Sequence, residues 1–163
     1  MKKSAAESVE HNSSFTFSYP WTKVVKGFFT KYPNKRLPFV KFNHVIDLDV
    51  EDDNTIKIKR LMYSKISRTF FVMYSLEDIV LNLKEKTLDI TTSMIKKSWM
   101  FPLGRETCKY MAIDIKGVEN TIYTKRMLSS NKIIEWLEHF QHTFRKGCSI
   151  IEENCQNFER KKK

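Results

Sequence analysis

The chain has 163 residues, 41% of them apolar and 13% aromatic, with four glycines and four prolines. That balance fits one folded domain with a sizeable core and leaves little room for long linkers or disorder. A formal net charge of +10 favours an acidic partner: phospholipid head groups, nucleic acid or an acidic protein.

No apolar run approaches the ~18–20 residues of a spanning helix, so no membrane span is expected. The opening "MKKSAAESVEHNSS" lacks the apolar core of a secretory signal, and its two glutamates make a poor mitochondrial presequence. It reads as a loose tail. The expected division is a disordered tail over 1–12, a domain over 13–160 and a basic tail over 161–163. Cys108, Cys148 and Cys155 form no C-x-x-C and read as small buried hydrophobes, not a disulfide frame.

In chain order, "SFTFSY" (14–19) alternates like a short strand. Pro20 suits the first turn of a helix, where its missing N–H costs nothing. Trp21, Val24, Val25, Phe28, Phe29 and Tyr32 then recur at helical spacing, one apolar stripe that Pro33 brings to an end. From Val40 the period becomes two. Segments 40–50, 55–63, 70–81, 87–95, 106–115 and 121–128 read as six strands, and their short connections favour an antiparallel meander. From about Asn131 the period returns to helical. Ile133, Leu137, Phe140, Phe144, Cys148, Ile151, Cys155 and Phe158 make a stripe roughly 37 Å long, with Gly147 a candidate bend. The order strand, helix, six strands, long helix is α+β, a sheet with helices on one face.

Two cations stand against apolar faces. Lys31 falls just outside the stripe of the first helix, where its stem can lie on the core edge; a cation near a helix C-terminus also suits the dipole. Arg60 shares its strand face with Ile56, Ile58 and Met62, and a buried guanidinium needs an anion. Glu77 or Glu106 from neighbouring strands can supply it, or a phosphate held bidentately. His139 and His142 are three apart on a helix but have no third ligand at a metal-site spacing. Glycine-rich phosphate loops, G-x-S-x-G and H-E-x-x-H are absent from the sequence. No catalytic residue, metal or cofactor is expected.

At "YPWTKVVKGFFTKYPN" (19–34) the chain resembles the PRELI family, mitochondrial intermembrane-space phospholipid carriers that include the slowmo branch. Further matches are "KRLM" (59–62), "YSLEDIVLNLKEKTLDI" (74–90), "ETCKY" (106–110) and "FRKGCSIIEE" (144–153), together spanning nearly the whole domain. The resemblance implies a START-like lipid-cavity fold: a seven-stranded antiparallel curved sheet, an N-terminal amphipathic helix and a long C-terminal helix. It implies binding and transfer of an anionic phospholipid of the phosphatidic acid or phosphatidylserine type between mitochondrial membranes. It also implies peripheral contact with the membrane surface and a small helical partner with twin-cysteine motifs, with no chemistry done on the lipid.

Carried over by resemblance, Lys31 takes the place of the basic residue that reaches the head-group phosphate, with Tyr32, Pro33 and Asn34 shaping the cavity. Arg60 matches a basic residue of the third strand, Lys65 lies near a lid-proximal lysine, and Lys146 precedes Gly147 in a basic–glycine step. The sequence departs from the family in Lys35, where a second proline is usual, and in a shorter segment between Arg60 and "YSLED". Phe70 and Phe71 are what remains there for membrane contact. The short segment leaves open a protein-binding relic that no longer transfers lipid. The basic residues interleaved with aromatics leave open a nucleic-acid module. The aromatics, however, keep core periodicity instead of decorating an exposed strand face, so no nucleic-acid partner is expected.

Overall fold

The computed structural model describes residues 8–65, 72–95, 103–130 and 134–161. In chain order they form β1 (Ser8–Phe17), α1 (Trp21–Phe29), β2 (Val40–Val50), β3 (Thr55–Lys65) and β4 (Val72–Asn82). β5 (Thr87–Met94), β6 (Leu103–Ile115), β7 (Val118–Ser130) and α2 (Ile134–Arg160) follow. The strands make one sheet in the order β1-β7-β6-β5-β4-β3-β2, with every neighbouring pair antiparallel. The expected α+β architecture is therefore the observed one.

This strand order dictates where α1 must go. β1 and β2 are opposite edges of the sheet, so the chain between them has to cross its concave face, and α1 is what crosses. Its stripe of Trp21, Val24, Val25 and Phe28 is buried, closing over Ile79, Leu88 and Tyr110 of the sheet and Ile151 and Cys155 of α2. The two helices approach closely at Gly27, where an added β-carbon would stand 3.2 Å from the Ile151 carbonyl oxygen. The N-terminus of α1 is capped from outside itself. Glu119 of β7 accepts a hydrogen bond from the Trp21 N–H at 3.1 Å, placing negative charge where the helix dipole favours it.

Two boundaries differ from the sequence expectation. Ser8–Asn12, assigned to a disordered tail, belong to β1 and pair with Arg126–Ser130 of β7. "SVEHN" alternates too weakly to announce a strand, and the pairing is supplied by β7. α1 ends at Phe29, three residues short of Tyr32: the Thr30 N–H still bonds the Lys26 carbonyl, but the Lys31 N–H bonds the Phe28 carbonyl, a tighter turn that leaves the helix. Lys31 consequently lies beyond the helix, not on its flank.

β2 is an edge strand with bulges between Val40 and Phe42 and between Val45 and Asp47, which disfavour pairing with another chain. Among the described residues no helix is long and apolar enough to cross a membrane.

Candidate functional site

Between the sheet and the two helices lies a cavity of about 110 Å³. Its floor is aromatic. Tyr110 and Tyr123, cross-strand partners on β6 and β7, stack at 4.2 Å between ring centroids. Phe28 of α1 lies 5.6 Å from Tyr110 and Phe144 of α2 lies 5.1 Å from Tyr123. Strand alternation points Glu106 and Cys108 of β6 and Lys125 of β7 into the same space, and Glu77 and Thr92 face it from β4 and β5.

The charges of this lining sort into pairs, with one left over. Glu106 holds Lys125 at 2.9 Å. Burial works against the charged lysine, but the Glu106 carboxylate, with smaller help from Cys108 and Tyr32, offsets it and the Lys125 pKa is raised. Glu77 accepts a 2.6 Å hydrogen bond from Nε of Arg60. Lys31 also lines the cavity, and its ammonium lies 4.8 Å from the Tyr32 ring centroid and 5.5 Å from that of Phe28. Among the described residues, no carboxylate pairs with it. Facing it on α2 is Gly147, where a β-carbon would stand 3.9 Å from Nζ, in ordinary contact with the ammonium.

Burial holds the thiols of the cavity in their protonated form. Burial pushes the Cys108 and Cys148 pKa values up to about 12, and Cys108 exchanges a hydrogen bond with the Tyr123 hydroxyl at 3.3 Å. The Tyr110 and Tyr123 hydroxyls are likewise pushed well above their ordinary value by burial. Among the described residues the lining thus offers neutral hydroxyls and thiols, the Glu106–Lys125 ion pair, a Glu77 held by Arg60 from behind the lining, and the Lys31 cation with no carboxylate.

Of the residues named from the sequence, Lys31 and Tyr32 line the cavity. Pro33 is exposed, and Asn34 shapes the turn instead of touching the cavity. Its side-chain oxygen accepts from the Arg36 N–H at 2.8 Å and its carbonyl from the Leu37 N–H at 3.0 Å. Arg60 corrects the expectation of a phosphate ligand. It is 3% exposed, with one Glu77 oxygen 2.6 Å from both Nε and Nη2, so a carboxylate of the next strand already supplies the countercharge, while Nη2 itself makes no hydrogen bond. Lys65 is exposed at the end of β3, and Lys146 is half-buried beside Gly147; neither lines the cavity. Phe70 and Phe71 lie outside the described residues.

From the sequence, Glu106 is named only as a possible anion for Arg60 and Lys125 is not named, although the signal is present. Lys125 alternates with Tyr123 and Met127, and Glu106 with Cys108 and Tyr110, the same cation-on-an-apolar-face pattern that singled out Arg60. A second space of about 170 Å³ adjoins the first, lined by Glu10, His11, Met127 and Gln141 and sharing Lys125 and Phe144 with it.

The sequence matches no family model and no curated protein. Solved structures do match in shape. Ara h 8.0201 aligns at 12% identity with a TM-score of 0.65, over 93% of this chain and 99% of its own. The Zhui aromatase/cyclase from Streptomyces sp. R1128 aligns at 7% identity and 0.59, over 96% and 97%. The 18 kDa protein CC1736 from Caulobacter crescentus aligns at 9% and 0.62, over 93% and 98%. At such identities the likeness is one of fold alone, and the fold is the helix-grip, START-like one.

Proposed function

We propose that the chain binds an anionic phospholipid by its head group and carries it between membranes, as the PRELI-like sequence features imply. One observation carries the reading: of the cations around an otherwise charge-balanced cavity, Lys31 is the one with no carboxylate beside it among the described residues. A phosphate entering a low-dielectric space must be paired, and Lys31 is placed to pair it. At about 110 Å³ the cavity is well below the ~300–1,000 Å³ of sites that enclose a whole drug-sized ligand. It has the scale of a head group. The acyl chains need far more apolar room than this cavity and the polar 170 Å³ space beside it provide, so lipid entry requires the helices and sheet to part, burial at ~0.8 kcal/mol per CH₂ then driving extraction.

The lipid class is of the phosphatidic acid or phosphatidylserine type, the place of work is the mitochondrial intermembrane space, and a small twin-cysteine helical protein is the partner. These three rest on resemblance. No chemistry on the lipid is part of the reading. The small volume also favours a second reading, a protein-binding relic that holds no lipid. Mass spectrometry of lipids co-purifying with the protein separates the two. Lys31→Glu is expected to lose transfer between liposomes while remaining folded; full transfer by that variant refutes the assignment.

A further inference from the structure

The outer face of the sheet carries charged ladders over most of its width, then abruptly does not. One cross-strand row reads Asp47, Lys59, Asp78, Thr91, and the row beyond it Asp49, Lys57, Val80, Asp89, Lys109. Toward the end of the sheet away from α1 the next two rows change character. The first is His44, Leu61, Leu76, Ser93, and the second is Phe42, Tyr63, Tyr74, with Ile95 bonded beside Tyr74. Partners directly opposite share a face, and Arg60, Met62 and Glu77 alternate with these residues toward the interior, so both rows point outward.

Phe42 is 46% exposed, Tyr74 48% and Ile95 58%, and the Tyr63 and Tyr74 rings lie 5.2 Å apart. From β2 to β5 neither row contains a carboxylate; the first continues across β6 and β7 as Arg105 and Leu128 to Glu10 of β1. Lys41, in the bulge before Phe42, and Lys65, two residues beyond Tyr63, are exposed at its border. Among the described residues, neither lysine forms an ion pair.

We infer that this patch is a docking surface for an anionic phospholipid bilayer. Exposed Phe42, Tyr74 and Ile95, with the Tyr63 ring against Tyr74 and lysines at the border, are the composition that suits a membrane–water interface. Lysines near an anionic surface add attraction that salt screens, and the chain's charge of +10 acts in the same direction. The patch also lies behind the cavity. Leu76 and Ser93 flank Glu77 and Thr92, which line it from the other side of the same strands. The inference extends the carrier reading, while standing on residues that touch no part of the cavity.

The test uses the full chain and vesicles of phosphatidylcholine alone or with a third of anionic phosphatidylglycerol. The variant Phe42→Thr/Tyr74→Thr/Ile95→Thr keeps strand-forming side chains on exposed positions, and circular dichroism verifies its fold. Wild type is expected to float with the anionic vesicles, less so as salt rises. The triple variant, and Lys41→Glu/Lys65→Glu, are expected to partition about ten-fold more weakly. Binding of a water-soluble short-chain phosphatidic acid, which needs no surface, reads the cavity separately, and the triple variant is expected to keep it. Failure of the wild type to bind that lipid sinks the carrier reading alone. The docking inference is overturned if the triple variant floats like wild type, or if wild type ignores anionic vesicles. It is equally overturned if sedimentation shows a dimer that the triple variant dissociates, since a second copy would then cover the patch.

Discussion

The Nζ of Lys31 stands 3.9 Å from the point where a β-carbon on Gly147 would sit, so a residue beyond α1 and a glycine within α2 share one small space. That distance is ordinary van der Waals contact, and a methyl group fits there. Gly147→Ala is expected to stabilise the protein by about 1 kcal/mol, the helix-propensity difference between the two residues, and to raise Tm by ~2–4 °C. Gly147→Leu places branched carbon where the ammonium and its anion belong, and lipid co-purification is expected to fall sharply while the helical signal persists. Thermal melts of both variants, with lipid mass spectrometry, check the pair. A lower Tm for the alanine variant would show that α2 needs the glycine for its backbone.

Arg60 and Glu77 face each other across β3 and β4, with Arg60 almost wholly buried against the Phe28 ring. Removing one partner strands the other. Glu77→Gln is expected to cost ~3–5 kcal/mol, because the guanidinium stays buried without its charge partner. Replacing both, Arg60→Met with Glu77→Leu, is expected to recover most of that loss. Urea unfolding of the two single variants and the double gives the coupling directly. A Glu77→Gln variant as stable as wild type would mean that something other than Glu77 neutralises Arg60.

These two sites also mark how far the sequence could be read. Alternation along β3 placed Arg60 inward without help, and it named Glu77 as one of two possible anions. Which of the two could not be chosen, because the choice depends on registers: Arg60 lies opposite Glu77, while Glu106 lies beside Lys125 in the packed sheet. The helix period placed Lys31 near the core edge. It could not anticipate that α1 would end at Phe29 and leave Lys31 against Gly147 of α2. The opening strand was half read for a similar reason. Ser8–Asn12 have little strand character of their own and gain it from β7. Periodicity reports what an element will bury; pairing partners more than a hundred residues away are invisible to it.

The cap of α1 gives an acid-side prediction. Glu119 accepts from the Trp21 N–H and from Lys86, and the Lys86 hydrogen bond, reinforced by that N–H, holds its pKa below the ordinary 4.5. A carboxylate with a lowered native pKa stabilises the fold above its unfolded value, and that stability is lost as pH falls below about 4.5 toward the native one. Glu119 is partly exposed, so the effect stays near that of a helix cap, about 1 kcal/mol. Glu119→Gln is expected to be less stable at pH 7 and to show a flatter loss between pH 5 and 3. Denaturant midpoints across that range check it. Parallel pH profiles for the two proteins would remove Glu119 from the account of α1.

On the alkaline side the three buried thiols set the direction. Burial raises Cys108 and Cys148 to about 12 and Cys155 to about 11, from an ordinary 9.0. A group whose native pKa is raised gives its full stabilisation below the unfolded value, and loses it as pH climbs toward the native one. Stability is therefore expected to hold up to about pH 9 and to decline above it, with Tyr110, Tyr123 and Lys125, also raised, pulling the same way. The same burial predicts slow chemistry. A thiol reagent attacks the thiolate, so at pH 8 native protein is expected to label only as fast as it opens, and all three cysteines to label at once in denaturant. Labelling time courses with and without guanidinium separate the two regimes. A cysteine that reacts rapidly in the native protein at pH 8 would mean that the interface between α1, α2 and the sheet is open to water, and the cavity with it.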